Sequence, residues 1–100
     1  MEEQKLERRF KREVEKRGGR ALKFTVPGKR GMPDRLALLP GARVVFVELK
    51  APGEVPAPIQ QKRMAGLRAL GFPVYCLDSI AAVEEFITEV FGHEQEVMPK

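Results

Sequence analysis

The sequence predicts an α/β domain, a mixed β-sheet flanked by helices in the order α-β-β-β-α-β-α. Three observations predict it. An apolar stripe of helical period opens the chain. Two apolar strand-like runs follow with only a Pro-Gly turn between them. A last strand is then reached through a second helical stretch. One hundred residues suit one compact domain with a single core.

Residues 2–17 read as a helix, because Leu6, Phe10 and Val14 recur every four residues among charges and Gly18-Gly19 stops it. Ala21 to Val26 is a short strand. Residues 27–33 form a loop, with Pro27, Gly28, Gly31 and Pro33 in it. Asp34 to Leu39 and Arg43 to Lys50 are strands two and three, joined by the tight turn at Pro40-Gly41. Residues 51–58 hold three prolines and a glycine and form a loop. A helix from Ile59 to Leu70 ends at Gly71. Phe72 to Leu77 is the fourth strand, and Asp78 or Ser79 caps a last helix reaching Phe91. Short turns make the first three strands antiparallel. The helical crossover makes strands three and four parallel, with a right-handed connection. Residues 1–91 form the domain and 92–100 a polar tail.

Composition narrows the chemistry. Residues 1–35 carry 12 Lys and Arg against six Asp and Glu, whereas the remainder is slightly acidic. Such asymmetry suits either a polyanionic partner or a solvated basic helix. The only cysteine, Cys76, lies in an apolar run and reads as a buried, inert thiol. One His, one Ser and no Asn leave too few residues for a zinc site or a convincing serine triad. No apolar run approaches membrane-spanning length and the N-terminus does not read as a signal peptide, so a cytoplasmic protein is expected.

The third strand concentrates the chemistry. Side chains alternate across a strand, so Val45, Val47 and Leu49 share one face and Val44, Phe46, Glu48 and Lys50 the other. A carboxylate and an ammonium thus project together from the end of an otherwise apolar strand, where charge is costly unless paired or metal-bound. Taken alone, the pair is an ordinary ion pair at a strand end. Asp34 opens the preceding strand, and the hairpin can set it beside Glu48. Two adjacent carboxylates are hard oxygen ligands suited to Mg²⁺ or Mn²⁺, with the Leu49 carbonyl as a further ligand. Lys50 is then placed to orient a water or to neutralise charge on a phosphate.

Pro33-Asp34, fourteen residues, then Glu48-Leu49-Lys50 matches the PD-(D/E)xK nuclease signature. With Gly31-Met32-Pro33-Asp34-Arg35, Val47-Glu48-Leu49-Lys50-Ala51-Pro52-Gly53 and Pro58-Ile59-Gln60, the chain resembles the VRR-NUC family over residues 2–90, in the small stand-alone form common in bacteriophages. The resemblance implies a restriction-endonuclease-like fold and a metal-dependent endonuclease acting on DNA. It also implies a homodimer selective for Holliday junctions or other branched DNA. It implies an acidic residue on the first helix too. Glu7 and Glu3 both fit, and Glu7 has the better spacing to Phe10 and Val14. Gln60 matches a glutamine opening the family's second helix, where it either serves the site or is a polar first-turn residue. Lys23, Lys29, Arg30 and Arg35 are the expected nucleic-acid contacts. Two other readings stay open: a non-catalytic binding module of the same fold, and a nuclease acting on RNA. The last helix holds more apolar residues (Ile80, Val83, Phe86, Ile87, Val90, Phe91) than one stripe needs. They serve either a dimer interface or packing on the sheet.

Overall fold

The computed structural model describes residues 2–92. The polar tail expected beyond them, with His93, lies outside the described residues. Seven elements follow in the predicted order: α1 Glu2–Glu15, β1 Arg20–Lys23, β2 Arg35–Leu39, β3 Arg43–Leu49, α2 Pro58–Ala69, β4 Val74–Leu77 and α3 Ile80–Phe91. The strands form one sheet in the order β1-β2-β3-β4. The β1–β2 and β2–β3 pairs are antiparallel and β3–β4 is parallel, as the connection lengths require.

The alternation of β3 divides the interior in two. Ala37, Leu39, Val45, Val47 and Leu49 face a layer made by α1 and α3, where Leu6, Phe10, Val14, Val83, Phe86 and Phe91 complete the main core. Phe46 faces the other way, into a smaller cluster with Met64 of α2 and Val74. One helix therefore covers only part of the second sheet face, and Leu22 and Leu38 remain 43% and 37% exposed there.

α3 packs mostly within the chain, with Ile80 at its start left 39% exposed. Val83, Phe86, Ile87 and Phe91 are buried, Val90 packs against the same core, and the Phe86 ring lies 5.8 Å from that of Phe10. The apolar surplus is absorbed because α3 touches both the sheet and α1. Of the six apolar residues only Ile80, and in part Val90, remain for a contact outside the chain. Ser79 is its cap, the hydroxyl accepting from the Ala82 N–H at 3.0 Å.

β1 stops at Lys23, three residues before the expected end. β2 begins at Arg35, so after the Phe24 N–H donates to the Asp34 carbonyl (2.9 Å) no partner strand remains for Thr25 and Val26. At the end of α1 a buried ion pair closes the last turn, with Arg17 Nη1 2.7 Å from Glu13 Oε1. The Arg17 guanidinium also lies over the Phe91 ring. No helix among the described residues is long and apolar enough to cross a membrane.

Candidate active site

Asp34 and Glu48 meet where β2 begins and β3 ends. Pro33 is fully buried and fixes the approach of the chain to Asp34. The two carboxylates then lock each other's backbone. The Asp34 N–H donates to Glu48 Oε1 (3.1 Å), and the Leu49 N–H donates to Asp34 Oδ1 (3.2 Å). The hairpin register produces this: Arg35 lies opposite Val47, which leaves Asp34 level with Glu48.

Glu48 is 6% exposed. Its Oε2 accepts from Gln60 Nε2 at 2.9 Å, and Lys50 Nζ stands 3.6 Å away. Gln60 is held from its other end, where Oε1 accepts from the Ala57 N–H (2.8 Å) and closes the first turn of α2. Gln60 is thus a helix-capping residue whose amide also grips the buried carboxylate. Burial first, then the nearby Asp34 charge, pushes the Glu48 carboxyl above its ordinary range, against the opposing pull of Lys50.

The other sheet face contributes through Arg35. Its Nη1 donates to Asp34 Oδ2 (3.1 Å) and to the Asp34 carbonyl (3.0 Å), and its Nη2 lies 3.1 Å from Glu7 Oε2. Arg35 was expected to contact phosphate. Instead its guanidinium is largely buried, with Nε unpartnered, and it bridges the helix carboxylate to the strand carboxylate. Strand alternation could have found this. Arg35 shares a face with Ala37 and Leu39 under α1, so its charge needs an acid there.

Glu7 and Glu3 lie one turn apart along a groove of about 250 Å³ that Asp34, Arg35 and Leu49 also line. Glu7 is tied into the centre by Arg35, and Glu3 borders the same groove. Lys23 lies opposite Arg35 across the β1–β2 pair and lines an adjoining hollow with Glu7 and Lys11. Lys29 and Arg30 sit apart on the exposed loop, where the Arg30 carbonyl accepts from Arg63 Nε (2.9 Å). Cys76 is half-buried rather than buried and lies opposite Glu48 in the β3–β4 register. Burial and the Glu48 charge push its thiol up, so it stays protonated.

The donor set fits a hard divalent cation. It is built of carboxylate oxygens, and the like charges of Asp34 and Glu48 oppose each other in a partly buried setting that such an ion would relieve. Among the described residues no set of three His, Cys, Asp or Glu side chains is grouped to hold a metal. Further ligands would therefore come from backbone and water, as Mg²⁺ commonly accepts.

No family model matches the chain. The chain is 52% identical over 77 residues to a protein of Acyrthosiphon pisum secondary endosymbiont phage 1 named "Putative nuclease p44", an alignment covering 77% of this chain and 83% of that protein. A solved structure described as "VRR_NUC domain" superposes with a TM-score of 0.83 at 30% identity, covering 87% of this chain and 95% of the other. At this identity and coverage the chain belongs to the VRR-NUC family.

Proposed function

We propose that the protein is a divalent-metal-dependent endonuclease that hydrolyses DNA phosphodiester bonds, acting as a homodimer on Holliday junctions or other branched DNA. The observation that carries the reading is the reciprocal lock of Asp34 and Glu48, with Gln60 and Lys50 closing on the second carboxylate. Asp34, Glu48 and the Leu49 carbonyl would hold the ion. When bound, Mg²⁺ or Mn²⁺ supplies Lewis-acid polarisation of a phosphoryl oxygen and a lower pKa for water.

The chain's own residues do the rest. Gln60 keeps Glu48 turned toward Asp34. Lys50 is largely shielded from solvent, at 17% side-chain exposure, and brings a fixed positive charge to where negative charge grows on the phosphate. Glu7 is oriented by Arg35 to accept a proton or a ligand-water hydrogen bond at the groove. Lys23 extends the cationic side of the site toward the incoming backbone. Two cuts in a branched substrate need two sites, and a two-fold dimer supplies them symmetrically.

The test is a cleavage panel in Mg²⁺ and in Mn²⁺ on linear duplex, single strand, flap, four-way junction and RNA. Asp34→Asn and Glu48→Gln should abolish cleavage. Lys50→Ala should slow it at least a hundredfold while calorimetric Mn²⁺ binding persists, on the order of the loss of one oriented charge at a transition state. Glu7→Gln should lose most activity and Glu3→Gln little. Full turnover by Asp34→Asn or Glu48→Gln would remove the nuclease centre from these residues.

A further inference from the structure

α1 turns two chemically different flanks outward. Glu3 and Glu7 border the acidic groove on one. On the other, Lys5, Arg8, Arg9 and Arg12 follow at the i, i+3, i+4, i+7 spacing that makes a continuous helical stripe. With Lys11, which also lines the hollow beside Glu7 and Lys23, this stripe borders an open hollow of about 690 Å³ that has Ile80 at the start of α3 on its far rim. Its centre lies roughly 150° around the helix from Glu7. A strand confined to the groove beside Glu3 and Asp34 would therefore not reach the stripe's centre.

We propose that this stripe is a second nucleic-acid contact, holding the phosphates of a segment other than the one presented to Asp34 and Glu48. The identity of the anion rests on the nuclease reading above; the location rests on the charge pattern. Lys5, Arg8 and Arg12 are exposed; among the described residues Arg9 pairs closely with Glu84, and Arg12 Nη2 stands 3.7 Å from Glu13 Oε2. Among the described residues, only Glu15 opposes the cations within the hollow. Further along α3 the surface turns acidic at Glu84, Glu85 and Glu89, which confines a phosphate track to α1. From Lys5 to Arg12 the stripe spans about 10 Å, the axial length of about three phosphates on one strand. Two contact surfaces on opposite flanks of one helix suit a nucleic acid whose arms diverge, since one straight duplex does not lie along both.

The two surfaces respond differently to metal. Without a divalent ion the groove presents Glu3, Glu7 and Asp34 against the single guanidinium of Arg35 and holds phosphate poorly. In EDTA the binding left is that of the outer cations, and the triple variant isolates the share of the stripe within it. The experiment is fluorescence anisotropy of labelled four-way junction and linear duplex DNA in EDTA across a salt series, comparing wild type, Lys5→Gln/Arg8→Gln/Arg12→Gln and Asp34→Asn. Arg9 is left in place because it ties α1 to α3.

The triple variant is expected to bind roughly tenfold or more weakly at low salt, with a log–log salt slope shallower by about 2–3. Asp34→Asn should bind as well as wild type or better. Circular dichroism and calorimetric Mn²⁺ binding of the triple variant should match wild type. Should the triple variant fail to fold, Arg8→Gln alone carries the test, with a slope change of about 1. Wild-type affinity and slope in the triple variant, or in Arg8→Gln where that replaces it, would overturn the proposal. So would a change in oligomeric state by light scattering with DNA binding intact, which would make the stripe a contact between copies. Cleavage by wild type is measured in parallel. DNA binding through the stripe without any cleavage would sink the nuclease reading and leave this contact standing, and cleavage with stripe-independent binding would do the reverse.

Discussion

Arg35 shows how one side chain can serve two carboxylates at once. Its guanidinium neutralises Asp34 and orients Glu7, so Arg35→Gln frees both. We expect that variant to lose at least tenfold in kcat, about 1.4 kcal/mol or more of transition-state stabilisation, with calorimetric Mn²⁺ affinity undiminished. A rise in KM at unchanged kcat would instead mark a plain phosphate contact. Glu48 makes a prediction of pH dependence. Its folded-state pKa is raised, so above the unfolded value of about 4.5 the native state holds a proton that the unfolded chain has released. Stability of the metal-free protein should fall as pH climbs through that window. Melting temperatures in EDTA check this, and Asp34→Asn should flatten the slope because Asp34 is the second cause of the shift. Asp34, Glu48 and Lys50 were legible in the sequence because strand alternation and a short hairpin fix where they point. The grip of Gln60 on Glu48 was not, since it joins elements distant in sequence, whereas strand alternation does place the Arg35 charge under α1, where it needs an acid.

Among the elements, the strands and helices followed from periodicity and turn residues. β1 ended early because its length is set by the start of β2, which its own residues do not encode. The loop before Asp34 touches α2 at Gly31. A Cβ there would lie 2.8 Å from Ile59 Cγ1 and 3.0 Å from the Ile59 carbonyl, at a backbone φ of +87°. Gly31→Ala should cost about 1–3 kcal/mol. It should depress cleavage more than stability, because the strain falls beside Gln60. Activity and melting temperature measured together test this, and a loss of stability at full activity would refute it. On α1, burial opposes Glu13 ionisation, but Arg17 and Lys16 more than compensate and hold the carboxyl below its usual range. Its contribution is present above pH about 4.5 and is lost as pH falls through the lowered folded value, opposite in sign to that of Glu48. Arg17→Ala leaves Glu13 buried with only the solvent-facing Lys16 and Arg12 beside it, and should cost about 3 kcal/mol in urea unfolding at pH 7.

For the molecule as a whole, the proposed dimer calls for an apolar face beyond α3, most of whose apolar residues are spent internally. Leu22 and Leu38 lie on the half-covered sheet face, in register with Leu36 and Val44 on the neighbouring strands. Light scattering should show a dimer that Leu38→Glu converts to a monomer. A Leu38→Glu dimer would move the interface elsewhere. The two sheet faces also differ in how firmly they are held. α1 and α3 close with the strands on a cluster of thirteen buried residues, whereas α2 rests on Phe46, Met64 and Val74 and has no side-chain oxygen at its N-cap. α2 nevertheless carries Gln60. Amide hydrogen exchange should be fastest there among the helices, and a transient lifting of α2 would release the buried carboxylate while the rest of the fold stays intact. The chemistry is thus coupled to the least anchored element of the structure, and mild warming should silence the protein at a temperature where its main core is still closed.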